Sequence, residues 1–136
     1  MTSNLNPYLN FDGNALEALE FYREVLGGEL KTNTFGEFGN DDAAVKDKIM
    51  HGQLTSAAGY TLMAADIMPG MEFRQGTTMT ISISGDDADQ LRGYFKQLAE
   101  GGTVSVELAK QPWGDEFGMC TDRYGVSWMV DIYPAS

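Results

Sequence analysis

The stretch GNALEALEFYREVLGG, residues 13–28, decides the fold because it is the clearest helix in the chain and its pattern occurs twice. Its apolar side chains recur at helical intervals and charged side chains cover the other positions, so one face of the helix is predicted to be buried. A shift of 72 positions matches Gly13 with Gly85, Leu19 with Leu91, Tyr22 with Tyr94 and Leu26 with Leu98. The chain is therefore predicted to be a duplicated unit.

Each copy of the helix has its own boundary signals. Asn14 is placed to cap the first helix, with Glu17 in the capping-box position, and Asp86 and Asp89 repeat that spacing in the second copy. The glycine pairs at 27–28 and 101–102 predict the helix ends, because glycine adopts the left-handed conformation at little steric cost.

The same order of strands surrounds each helix. In the first half, alternation and turn residues predict strands at 5–11, 29–35, 49–55 and 60–66, with a hairpin turn at 56–59. In the second half they predict strands at 77–84, 103–109, 113–121 and 126–133. Residues 36–48 have no stable period, which predicts a long mobile loop with one short helical turn at 41–45. The composition of residues 67–76 predicts the connection between the two halves.

This order predicts an α+β fold made of two βαβββ modules, at about residues 5–66 and 77–133, within a single domain of 136 residues. Two such modules bury their sheets by curling around a shared interior and covering the outside with helices. We therefore expect a half-open β barrel with helices outside and a concave ligand cleft.

Composition narrows the classes of partner. Nine basic and twenty acidic side chains give a formal charge of −11, which repels nucleic acid and anionic lipid. The N-terminal residues MTSNLNPY lack the features of a signal peptide, and no apolar run is long enough to span a bilayer, so we expect a cytoplasmic protein. The single Cys120 excludes an internal disulfide, and we expect it to be a packed side chain rather than a nucleophile.

Two motifs carry a resemblance to a known family. The segment FY-x-x-x-LG at Phe21, Tyr22, Leu26 and Gly27, and the segment D-x-x-G-x-x-W at Asp122, Gly125 and Trp128, resemble the glyoxalase/bleomycin-resistance/dioxygenase group, which is the vicinal oxygen chelate superfamily. Within it the chain is most similar to the PhnB-like branch, often labelled 3-demethylubiquinone-9 3-methyltransferase-like. The resemblance covers the whole chain and implies a glyoxalase-like barrel, with modules that pair across a homodimer in many relatives.

The resemblance also implies where a divalent metal would be held. Enzymes of the superfamily take His, Gln or Glu ligands from the first and last strands of each module. In this chain Met63 and Met129 stand at the two last-strand positions, and Pro7 or Tyr8 and Thr78 or Thr80 stand near the first-strand positions. Thioethers are poor ligands for hard or borderline ions, so we expect no metal at the family's usual positions.

Seven residues are candidates for a site in the cleft. His51 is the only histidine and has the pKa range of a general base; PhnB-like relatives tend to have His-Ala-x-Leu at this point. Asp131 lies two residues beyond Met129 and shares its strand face, whereas Asp66 lies three beyond Met63 and is expected to face away. The candidates are His51, Met63, Trp113, Phe117, Met129 and Asp131 for ligand binding, with Asp66 as a further carboxylate; the alternatives are core rings and solvated strand ends.

Three functions remain open on the sequence. The first is a metal-independent, homodimeric protein that binds a small apolar or aromatic molecule, without a cofactor. The second is a metal-dependent lyase, isomerase or dioxygenase-like enzyme that uses His51 with a nearby carboxylate and a divalent ion. The third is an interaction protein without a ligand. No nucleotide-binding glycine motif occurs, so nucleotide cofactors are not expected.

Overall fold

A computed structural model describes residues 3–134 of the chain. The chain divides into two compact units, one that ends at Arg74 and one that begins at Gln75. We call them unit 1 and unit 2 and describe each separately.

Unit 1 contains one helix and one four-stranded mixed sheet. Strand β1 pairs parallel with β4, and β4 and β2 pair antiparallel with β3, which gives the order β1-β4-β3-β2. The elements are β1 (Tyr8–Phe11), α1 (Ala15–Leu26), β2 (Glu29–Thr34), a 3-10 helix (Gly36–Phe38), β3 (Ile49–Thr55) and β4 (Thr61–Asp66).

Unit 2 repeats this arrangement with the sheet order β5-β8-β7-β6, in which β5 and β8 are parallel. Its elements are β5 (Ile81–Gly85), α2 (Ala88–Ala99), β6 (Thr103–Lys110), β7 (Glu116–Thr121) and β8 (Ser127–Ile132). The predicted α+β class and the duplicated βαβββ order are confirmed.

Each helix packs its apolar face on its own sheet. The matched side chains Leu19, Tyr22 and Leu26 in α1 are buried, and so are Leu91, Tyr94 and Leu98 in α2. A side chain at Gly52 of β3 would overlap the end of the Leu19 side chain, so helix and sheet approach each other closely at a position that favours glycine. The helix covers one face of the sheet in each unit.

Several predicted boundaries were wrong. Strand β1 begins at Tyr8 rather than at residue 5, and β5 begins at Ile81 rather than at residue 77, because the paired register with the neighbouring parallel strand starts only there. Strand β7 begins at Glu116 rather than at Trp113, because the backbone N–H of Gln111 donates to the carbonyl of Asp115 at 2.7 Å and closes a turn. The predicted loop 36–48 holds the 3-10 helix and a turn in which Val45 is buried.

The predicted helix caps were also wrong. Asn14 makes no side-chain capping bond. The residue that precedes α2 is Asp87 rather than the predicted Asp86, and its side chain makes no capping bond either. In unit 1 the cap comes from Asp66 at the end of β4, whose Oδ1 accepts the backbone N–H groups of Gly13 at 2.9 Å and Ala15 at 3.0 Å. Its Oδ2 accepts the N–H of Ile49 at 2.9 Å, so one carboxylate joins the start of α1, the start of β3 and the end of β4.

Asp66 is 4% exposed, so it is not the solvated strand end that the sequence offered as an alternative. Its hydrogen bonds go to the backbone of Gly13, Ala15 and Ile49 rather than to His51. Both of its oxygens are used by the backbone. Within residues 3–134, no helix combines the length and apolar character that a bilayer crossing requires.

We predict that Asp66→Asn destabilises the protein by about 2 kcal/mol, because an amide NH₂ then faces a backbone N–H on one side of the carboxylate position and a charge-assisted bond is lost. Urea unfolding followed by circular dichroism measures the change. Asp12→Asn is the matched control, because Asp12 is an exposed carboxylate just before α1. Equal stability of the two variants would contradict the structural role of Asp66.

Candidate functional site

The face of the unit 1 sheet opposite α1 gathers polar and aromatic side chains. Tyr8 and Gln53 both pair with Met63, so these three residues share that face. His51 lies two residues before Gln53 on the same face, and its ring centroid is 5.9 Å from that of Tyr8, with the planes tilted by 33°. The structure therefore brings two of the predicted site residues, His51 and Met63, together around Tyr8.

A cavity of about 590 Å³ lies beside this cluster in unit 1. Tyr8 and Asn10 of β1 contribute to its wall, and Ala65, which pairs with Asn10, lies next to them. Its volume falls in the range of about 300–1,000 Å³ typical of small-molecule sites. The lining residues are Tyr8, Asn10, Phe35, Phe38, Asn40, Met50, Ala65, Asp66, Ile67, Met68, Met71, Glu72, Phe73 and Arg74.

Two segments supply most of the apolar wall, and sequence reasoning assigned neither to a site. Phe35 and Phe38 follow β2, and the N–H of Phe35 donates to the carbonyl of Lys48 at 3.0 Å. Met68 and Met71 follow β4 in a turn closed by the N–H of Met71 and the carbonyl of Met68 at 3.1 Å. The only sequence signal for these residues is that large apolar side chains occur in segments predicted to be a loop and a connection between the halves.

The charged groups of the cavity wall are already paired. Asp66 is held by three backbone N–H groups. Arg74 and Glu72 form an ion pair in which Nε and Nη2 each lie 2.8 Å from Oε1. The side chain of Asn10, by contrast, has no hydrogen bond within residues 3–134.

Four predicted site residues lie in unit 2. Phe117 pairs with Asp131 and Met119 pairs with Met129, so Phe117, Asp131 and Met129 lie on the face of this sheet opposite α2. Trp113 lies in the turn before β7 and is 63% exposed, and its ring centroid is 6.3 Å from that of Phe117 at 61°. Unit 2 thus joins Trp113, Phe117 and Asp131 at one strand end.

Asp131 is not the fully solvated strand end that the sequence offered as an alternative. Its Oδ1 atom is buried and has no hydrogen-bond partner in the part of the chain that the structure describes. Burial, followed by the neighbouring carboxyl group of Asp115, raises the pKa of the Asp131 carboxyl.

The D-x-x-G-x-x-W motif has a structural role. Asp122 Oδ1 accepts the backbone N–H groups of Tyr124 and Val126, and Oδ2 accepts the indole N–H of buried Trp128 at 2.9 Å. Gly125 has φ 85° and closes the turn. Neighbouring Cys120 is 1% exposed, and burial together with the charge of Asp122 raises its pKa to about 11, so the thiol is a packed group.

The residues at the family's metal positions do not fit a divalent ion. Met63 is flanked in the sheet by Tyr8 and Gln53, and Met129 by Ser82 and Met119, which places no carboxylate or imidazole directly beside either thioether. Both oxygens of Asp66 accept backbone N–H groups. Across residues 3–134 no three His, Cys, Asp or Glu side chains form a group suited to metal binding.

Comparison with known structures defines the class of protein. The chain matches a glyoxylase/bleomycin resistance protein/dioxygenase domain from Frankia over 98% of this chain and 99% of that one, with a TM-score of 0.67 and 14% identity. It matches a 3-demethylubiquinone-9 3-methyltransferase-type PhnB protein from Bacillus cereus over 96% and 99%, with a TM-score of 0.78 and 22% identity. These likenesses establish the glyoxalase/bleomycin-resistance fold.

The particular family follows from the sequence. Residues 3–131 match the model of the 3-demethylubiquinone-9 3-methyltransferase family, and the chain belongs to that family. A protein from Pseudomonas aeruginosa, PA1353, is 38% identical over 97% of this chain and 98% of its own, with a TM-score of 0.87. The PhnB-like resemblance inferred from the motifs is confirmed.

We predict that Asp131→Asn stabilises the protein at pH 7. A raised pKa in the folded state means that folding favours the protonated carboxyl, so the contribution of Asp131 to stability is present in acid and is lost as pH rises through the folded pKa. The advantage of the variant over wild type should therefore be positive at pH 7 and shrink toward acid.

Thermal unfolding of wild type, Asp131→Asn and the exposed control Asp86→Asn across pH 3 to 8 measures this difference. A destabilised Asp131→Asn protein at pH 7, or a difference that does not change with pH, would show that Asp131 is not held in an unfavourable charged state.

Proposed function

We propose that the protein binds a small, mainly apolar aromatic molecule in the unit 1 cavity, without a metal ion. The observation that carries this proposal is the cavity of about 590 Å³ walled by rings and thioethers. Aromatic walls hold planar ligands by stacking and edge contacts, and methionines adapt their shape to the ligand. The aromatic and methionine wall residues are Tyr8, Phe35, Phe38, Phe73, Met50, Met68 and Met71.

The exposure of this wall supports the same proposal. Phe38 and Met71 are each 62% exposed, Met68 is 57% exposed and Tyr8 is 47% exposed. Grouped apolar surface of this kind marks interaction sites in folded proteins. A ligand that covers it gains about 25 cal/mol per Å² of buried apolar area.

Apart from Asp66, the site residues predicted from the sequence do not line the cavity. His51 and Met63 support the wall residue Tyr8 from the same sheet face, and we assign them to the site as its neighbours. Trp113, Phe117, Met129 and Asp131 form a separate aromatic and acidic face in unit 2, which we retain as a second ligand-contacting surface.

Binding accounts for the chain better than methyl transfer does, despite the name of the family. The sequence has no glycine-rich strand-to-helix turn for a nucleotide cofactor.

We also infer a homodimeric, cytoplasmic protein that does not bind nucleic acid. The net charge of −11 supports the inference about nucleic acid, because it repels the phosphate backbone.

We predict that Nile red, an uncharged planar dye, binds saturably with one site per chain, as measured by its fluorescence increase. Met71→Lys should weaken this binding by about threefold to tenfold, because a cation replaces an apolar wall group at the rim. Met79→Lys is the matched control, because Met79 is 80% exposed and does not line the cavity.

Absence of saturable binding, or equal weakening by both lysine variants, would contradict the proposed site. Stoichiometric Zn²⁺ binding that disappears in His51→Ala would instead support the metal-dependent enzyme.

A further inference from the structure

We infer that the unit 1 cavity selects an uncharged ligand: a planar aromatic body that carries an amide or carbonyl group bound by Asn10. The inference rests on the proposed function and adds the chemical class of the ligand. Its basis is the state of each polar group in the cavity wall.

No charged group of the wall is available without cost. Asp66 holds three backbone N–H groups, two of them at the start of α1, where the helix dipole is positive and compensates the carboxylate. Glu72 and Arg74 neutralise each other across 2.8 Å.

A charged ligand gains little from this wall. A ligand anion at Arg74 would compete with Glu72 for the guanidinium, and a ligand cation at Glu72 would compete with Arg74 for the carboxylate. Because one ion pair is exchanged for another at an exposed site, the Coulomb gain is close to zero, whereas the ligand still loses hydration on entering an apolar cavity. An uncharged ligand avoids most of that cost.

Asn10 supplies the specific polar contact. It lies on the same sheet face as Tyr8 and next to the small side chain of Ala65, so the cavity is open above it. Asn10 is exposed, and its amide, which offers both donors and an acceptor, has no protein hydrogen-bond partner within residues 3–134. The amide oxygen of Asn40, by comparison, already accepts the N–H of Asp42 at 3.1 Å.

Three probes with the same ring system test the inference: 2-naphthamide, 2-naphthoate and 2-naphthylmethylammonium. Their affinities for the full chain are measured by calorimetry at pH 7 and about 0.15 M salt, which screens the net charge of the protein. We expect 2-naphthamide to bind at least about tenfold more tightly than either ion.

Two variants connect the selectivity to named residues. Glu72→Gln releases Arg74 and should raise the affinity for 2-naphthoate at least about threefold. Glu24→Gln on the exposed side of α1 changes the net charge equally and should leave the affinity for 2-naphthoate unchanged.

Asn10→Leu should weaken the binding of 2-naphthamide and leave the binding of unsubstituted naphthalene unaffected. A merely structural defect would weaken the binding of both compounds.

The outcomes separate the two proposals. Equal affinities for the three probes, or no response of 2-naphthoate to Glu72→Gln, overturn the inference and leave ligand binding in place. Binding of Nile red without any binding of 2-naphthamide also overturns the inference. Failure of Nile red and all three naphthyl probes to bind overturns the proposed function itself.

Discussion

The buried carboxylate of Asp66 is the constraint on which unit 1 depends. It terminates β4, satisfies two N–H groups at the start of α1 and fixes the first residue of β3. These bonds hold the helix on one face of the sheet and leave the other face open beside the cavity. In unit 2 another buried carboxylate, that of Asp122 in the turn between β7 and β8, holds this turn and the buried indole of Trp128.

The features of the fold that depend on residues close together in the sequence were predictable from the sequence. Apolar spacing predicted the buried helix faces, and glycine positions predicted the hairpin turn at 56–59 and the helix end at Gly27, which has φ 71°. The duplicated α+β fold was therefore predictable. The caps were not. Asn14 is the right residue type at the right position, yet the bonds go to Asp66, which lies 51 and 53 residues along the chain from the groups that it binds. Such a partner leaves no periodic signal.

The candidate site was predictable only in part for the same reason. His51, Met63, Phe117 and Asp131 were candidates for the cleft, with core rings and solvated strand ends as the alternatives, and the strand registers place them on the sheet faces opposite the helices. The cavity is completed by Phe35, Phe38, Met68 and Met71, which come from segments without a period. Phe35 is positioned by a backbone bond to Lys48, which lies 13 residues along the chain, and Phe38 and Met71 are positioned by local turns.

Met63 and Met129 provide no hard metal ligand at the family's usual positions, and the cavity wall of unit 1 consists of rings, thioethers and paired charges. The most direct test of ligand binding in this cavity is an ¹⁵N heteronuclear NMR titration of the full chain with 2-naphthamide. We predict that the side-chain NH₂ of Asn10 and the backbone amides of Phe35 and Met71 shift together and saturate at one ligand per chain. Shifts concentrated at Trp113 and Phe117, or no saturable shift, would contradict it.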